Sequence, residues 1–449
     1  MIPAQDLVEL ALARSHAEGC VVLVTDSSEA SLRWANSTMT TNGVSSSRQW
    51  AVVSVFGSSV GVVSSSSVDG ADVAEMVRAS EEAARAAGAA RDAAPLVNGF
   101  GEPAHWGAPA AETSIDVFDR LADDLAAGFA GTDQLFGFAE HQMHTTWLGS
   151  STGLRRRFTQ PTGTVEVNAK RNGSSAWAGL STPDFTDVAL PRLLDELSTR
   201  LGWGQRRIEL PAGRYETLLP PSAVADLMIY LAWSMEGRGA QEGHTALSGP
   251  GGTRVGERLT SLPLTLACDP AAPGMECAPF VATTHSDDSI SVFDNGLDAD
   301  RVEWVREGTV NALAYPRAAA GEFGTPVAVP GDNLLLTGGS DASLADMVAH
   351  TERGLLLTCL WYIREVDPAT LLVTGLTRDG VYLVEDGEVT GEVNNFRFNE
   401  SPLDLLRRVS ELGAAQRTLP REWKDWFSRT LVAPMRIPDF HMSSASRAS

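Results

Sequence analysis

Apolar positions recur at helical spacing in some stretches and at strand spacing in others, so the chain reads as a mixture of helices and strands. Residues 1–18 alternate charged and apolar groups as an amphipathic helix does, with Leu7, Leu10 and Ala11 inward. Residues 69–87 form an alanine-rich helix that Asp69 is placed to cap. The 114–129 stretch sets Ile115, Phe118, Leu121, Leu125 and Phe129 on one face, and 187–201 is a further helix. Strands are predicted at 20–25, 31–37, 134–148, 154–160, 164–171, 174–180 and 214–219. The 50–64 segment turns about Gly57 and Gly61 as a hairpin, and Asp386-Gly387 closes another within 380–389. Residues 354–363 are continuously apolar, as a strand buried on both faces would be. A short helix is expected at 343–351.

This order of elements divides the chain. An α/β module occupies 1–88, an Ala/Pro/Gly-rich linker 89–113, a second α/β module 114–209 and a β-rich domain 210–440. Residues 441–449 are expected to be a disordered tail.

The stretch 220–251 differs from the rest. Val224, Leu227, Met228, Leu231 and Met235 put an apolar stripe on a helix begun by Pro220, Pro221 and Ser222. Gly237 and Gly239 are its stop signal. The glycine-rich residues 237–256 then read as a mobile or closely packed loop.

Here the chain resembles the TldD/TldE (PmbA) family. In the TldD subunit this helix carries His-Glu-x-x-x-His, followed by Glu-Gly and a Ser-Ala-x-x-Gly loop. The corresponding punctuation is Glu236-Gly237, then Thr245-Ala246-Leu247-Ser248-Gly249. Anchored there, Met228 and Trp233 fall at the two histidine positions and Ile229 at the glutamate position. A thioether, an indole and an alkyl chain cannot hold and activate a zinc-bound water. No His-Glu dipeptide occurs anywhere in the sequence. The chain is therefore similar to TldE, the subunit without the metal motif. Leu32-Arg33-Trp34-Ala35-Asn36, the 255–261 segment, Cys268-Asp269-Pro270 and Ser291-Val292-Phe293-Asp294 resemble further family segments, in the family's order.

The resemblance implies an α+β fold, with two N-terminal α/β modules carrying curved sheets and a β-rich C-terminal domain. It implies a heterodimer with a TldD-like catalytic subunit that supplies the zinc and the general base. Such a pair trims extended or unfolded peptides, among them natural-product precursors and antitoxins. This chain would supply no catalytic residue and no metal or other cofactor. Met228, Trp233, Glu236, Gly237, His244 and Gly249 would lie near the subunit interface or the lumen. The alternative reading is a homodimeric binding or scaffold protein in a biosynthetic pathway. A hydrolase with a site of its own is a third.

Composition narrows the rest. A formal net charge of −22 repels nucleic-acid phosphates, and no basic run exceeds Arg155-Arg156-Arg157, which excludes direct DNA binding. No basic region precedes an apolar core at the amino terminus, and no apolar run reaches membrane-spanning length, so a cytoplasmic protein is expected. Cys20 and Cys359 read as buried, whereas Cys268 and Cys277 could pair across a loop.

Other candidate chemistry weakens on inspection. Gly57-Ser58-Ser59-Val60-Gly61 matches a nucleophile elbow, but strand-like residues follow where a helix is needed. Glu140, His141 and His144 could share a metal only on a helix, and their flanks favour a strand, which parts the histidines to opposite faces. His244 is a solitary loop histidine, and the run His285-Ser286-Asp287-Asp288 reads as a solvated turn. Trp361 is expected in the core, while Trp233, Trp423 and Trp426 suit either core or interface.

Overall fold

A computed structural model describes residues 2–66 and 70–446. The cap expected at Asp69 and the final residues of the expected tail lie outside the described residues. The helices come out close to expectation, at Ala4–Arg14, Gly70–Ala86, Asp119–Phe129 and Leu190–Trp203, with a 3-10 turn Ile115–Phe118 capped by Ser114.

Strands in the N-terminal half are longer than expected. The segments 20–25 and 31–37 are one strand, Gly19–Ala35, paired along its length with Thr38–Phe56. The segments 154–160 and 164–171 are likewise one strand, Arg155–Arg171. Polar residues such as Thr162 and Thr164 keep this strand going because one of its faces lines a cavity rather than a dry core.

With Ser59–Ser65, Gln134–Ser150 and Ser174–Thr182 these strands form one six-stranded antiparallel sheet. The helices of the two modules are therefore carried by a single sheet. They cover one face, where Val22, Val24, Leu32, Trp34 and Leu135 are buried. On the other face Val21, Leu23, Val53 and Leu148 pack with Phe280, Val292 and Phe293 of the C-terminal domain. Residues 89–113 are a packed strap rather than a free linker. Trp106 is buried, its carbonyl accepts from Trp147 Nε1 at 2.9 Å, and Asp92 accepts from Ser291 Oγ at 2.6 Å.

The C-terminal domain joins a ten-stranded sheet to a six-stranded one. Helix Pro221–Trp233 belongs to the large apolar cluster that includes residues of both. The apolar run 354–363 splits into Arg353–Leu357 and Leu360–Asp367, which take separate places in the ten-stranded sheet. Thr358 turns the chain by bonding to the Gly380 carbonyl through both its N–H (2.9 Å) and its hydroxyl (3.0 Å). Nor is the segment after Phe440 disordered as far as Ser446. Strand Met435–Ala445 pairs with Gly213–Leu219 and Phe396–Glu400, burying Phe440 and Met442. The Asp386-Gly387 hairpin forms as expected, with both turn residues at positive φ (51° and 82°) as a primed turn requires.

Residues 38–49 and Leu360–Asp367 each present a strand edge with no further strand beside it among the described residues. Residues 38–49 lie beyond the reach of Ser59–Ser65 and are paired only with Gly19–Ala35. Leu360–Asp367 ends the ten-stranded sheet. No helix among the described residues is long and apolar enough to cross a membrane.

Candidate functional site

Helix Pro221–Trp233 begins with proline in its first turn, where no N–H is missed, and ends at Ser234. It is buried nearly all round rather than along one stripe. Met228 and Ile229 are 0% exposed and sit in the apolar cluster with Leu355, Phe398 and Phe440. Met228 itself presents no surface, being enclosed by the domain core. The donor set at these positions does not fit zinc, and no group of three metal-ligating side chains occurs among the described residues. Trp233, by contrast, is 41% exposed at the helix end, with ring centroids 5.0 Å from Trp423 and 6.2 Å from Tyr230.

One anchoring position on this helix escaped the sequence. Asp226 is fully buried, and its carboxylate accepts the N–H groups of Arg421 (3.2 Å) and Glu422 (2.9 Å). Burial pushes this carboxyl well above its usual range, against those two donors. Glu422 in turn accepts from Tyr362 N at 2.9 Å and Ile363 N at 3.1 Å. The Arg421 guanidinium lies over the Trp361 ring, 4.5 Å from its centroid. Together these contacts fasten the loop 421–429 to the core helix and to the open edge strand. The only signal in the sequence was a carboxylate in an otherwise apolar helix.

The glycines after the helix do not simply stop it. Gly237 begins a second short helix, Gly237–Gln241, and any side chain there would strike the Tyr315 ring, 2.2 Å from the ideal Cβ. Glu236 is half-buried, and burial together with Asp288, Asp287 and Glu365 raises its carboxyl above the usual range. Arg238 pairs with Glu322 at 2.5 Å, and Glu242 binds Arg91 of the strap. His244 is exposed, 3.8 Å from Glu242. Gly249 pairs with Gly252 in a small hairpin. Within 237–256 the residues 237–240, Ala246 and Leu247 are buried while 242–244, 250–251 and 255–256 are exposed, and no group of three metal-ligating side chains forms here among the described residues.

The strand reading of 140–144 holds. His141 faces the helices, hydrogen-bonded to Thr113 Oγ1 (2.6 Å) and the Pro183 carbonyl (2.9 Å), and burial lowers its pKa below 6.5. Glu140 and His144 face the other way, into a cavity of about 530 Å³ between the N-terminal sheet and loop 421–429. Burial raises the Glu140 carboxyl, and Glu29 and Asp425 add to the rise. Burial and Arg429 lower His144. Trp426 also lines this cavity, while the elbow-like segment, the 285–288 run and the cysteines stay apart from it. Gly57 and Ser58 make a hairpin turn, Asp287 caps its own turn through Ser289 N and Ile290 N, and all four cysteines are buried and free.

The fold defines a class: an α+β chain with a long antiparallel sheet docked on a two-sheet domain built around a buried core helix. Residues 212–444 match the family model described as the PmbA/TldA metallopeptidase C-terminal domain, and residues 20–87 match PmbA/TldA metallopeptidase domain 1. The chain belongs to the PmbA/TldD family. No curated protein matches the sequence.

Among solved structures, TldE from Thermococcus kodakarensis superposes with a TM-score of 0.79 at 15% identity, covering 97% of this chain and 99% of that one. A protein described as a modulator of DNA gyrase from Bacteroides thetaiotaomicron gives 0.78 at 15% identity, covering 98% of both chains. A similarly described protein from Thermotoga maritima gives 0.74 at 13% identity, covering 94% of this chain and 95% of that one. At these identities the likeness shows a shared fold.

Proposed function

We propose that this chain is the metal-free, TldE-like subunit of a cytoplasmic two-chain metallopeptidase that trims extended peptides. A TldD-like partner would contribute zinc, its ligands and the general base. The observation that carries this reading is the sealed setting of Met228 and Ile229. At two of the three positions aligned with the motif the side chains are dry hydrocarbon and thioether, the third is the indole of Trp233, and zinc chemistry would come from another chain.

Two surfaces support a partner. Trp233 (41% exposed), Tyr362 (58%) and Val366 (58%) are apolar groups on or beside the open edge strand Leu360–Asp367, linked by the Glu422 and Trp423 contacts. Large exposed aromatics of this kind are favoured anchors at subunit interfaces. The free edge of residues 38–49 carries no charge before Arg48 and offers main-chain groups to an extended strand.

Co-expression with a chain bearing His-Glu-x-x-x-His tests the proposal. A stable complex that cleaves an unfolded peptide, with each chain alone inactive, supports it. A stable homodimer that refuses such a partner overturns it and favours the scaffold alternative.

A further inference from the structure

The cavity beside Glu140 has a composition that the metal-free role alone does not require. Its floor is the sheet face opposite the helices, where Gln142, Gln160, Thr146 and Thr162 present amide and hydroxyl groups. They carry no charge and already bond within the chain: Gln142 to Glu140, Gln160 to the Pro161 and Glu276 carbonyls, Thr146 to Thr25 and Thr162 to Arg429. At the rim stands Trp426, 78% exposed on the loop that Asp226 and Glu422 fasten. An aromatic side chain held by a fixed loop loses little freedom on contact with a ligand.

Charge in the cavity is unbalanced in one direction. Asp332 is paired with Arg429, and Glu166 with Lys424 at 2.8 Å, so both basic groups of the lining are already used. Glu140 receives only a neutral hydrogen bond, from Gln142. Glu29 and Asp425 both act on Glu140 electrostatically. Among the described residues none of these three carboxylates has a basic side chain within 4.0 Å. Arg33 is near enough to oppose the effect on Glu140 without pairing with it.

We infer that this cavity is a subsite for an extended peptide segment bearing a lysine or arginine, with the cationic head against Glu140 and Asp425 and the side chain passing beneath Trp426. The inference rests on the peptide-handling reading above and adds a side-chain preference that the reading lacks. A partly buried carboxylate without a counter-ion gains a charge-assisted hydrogen bond from such a ligand, while a neutral or acidic side chain offers none.

The test is fluorescence anisotropy on the full chain, alone and with its partner, using labelled, end-blocked hexapeptides of serine and glycine. Each has one central lysine, norleucine or glutamate. The lysine peptide is expected to bind about tenfold more tightly than the norleucine peptide, as one charge-assisted contact supplies, and to weaken as salt is raised. Glu140→Gln should abolish that preference while leaving the circular dichroism spectrum unchanged. Trp426→Ala should weaken the lysine peptide about fivefold or more. Equal binding of the three peptides, or a preference that survives Glu140→Gln, overturns the subsite. Partner association and zinc-dependent cleavage of a lysine-free peptide are read separately. If they persist while the preference is absent, the subsite alone fails; if the preference stands but no TldD-like chain associates and no zinc-dependent cleavage is seen, the peptidase reading alone fails.

Discussion

Ile229 occupies a setting hostile to any charged group. It is 0% exposed among leucines, phenylalanines and methionines, so a carboxylate there would be buried without a partner. Ile229→Glu should cost about 4 kcal/mol or more in chemical denaturation, and adding Met228→His and Trp233→His should not confer zinc binding. Stoichiometric zinc bound by that triple variant would contradict the burial argument. His141 makes a second prediction at this scale. Its neutral ring is held by Thr113 and Pro183, and its folded pKa lies below the ordinary 6.5. Above about 6.5 neither folded nor unfolded chain holds that proton, and the stabilisation is complete. As pH falls through 6.5 and on through the lower folded value, the unfolded state gains the proton first and stability is lost. The urea midpoint should therefore drop between about pH 7.5 and pH 5.5, and less steeply in His141→Gln; His144 contributes with the same sign.

At the level of elements, most helices and the Asp386-Gly387 turn were legible because their signals are local: spacing, caps and a two-residue turn type. Strand lengths were not. The polar outer half of Thr38–Phe56 alternates nothing apolar, since its residues 38–47 are exposed on both faces, and only pairing with Gly19–Ala35 marks it as strand. The run 354–363 failed for the opposite reason: continuous apolarity hides a break that Thr358 makes with a residue distant in sequence. Asp226 was missed because its partners, Arg421 and Glu422, lie far along the chain. Gly61, which resembled part of a nucleophile elbow, has a packing role instead. A Cβ there would come within 2.3 Å of Ser80 O and Ala84 N on helix Gly70–Ala86. Gly61→Ala should lower stability by about 1–3 kcal/mol through overpacking, measured by urea unfolding. An unchanged midpoint would show that the helix can lift away from the sheet at no cost.

Across the whole molecule, the resemblance in ordered motifs carried the fold further than local patterns could, and family membership of residues 20–87 and 212–444 agrees with it. The same scale holds the account of assembly. If Trp233 and Tyr362 mark the partner surface, the double variant Trp233→Ser and Tyr362→Ser should weaken association with the TldD-like chain at least about tenfold in analytical ultracentrifugation, with its own fold intact. Unaltered association would move the interface elsewhere. The most direct measurement is metal analysis by mass spectrometry of the chain purified alone and of the co-purified pair. The account predicts no bound zinc in the first and about one zinc per pair in the second. Stoichiometric, protein-held zinc in the chain on its own would contradict it.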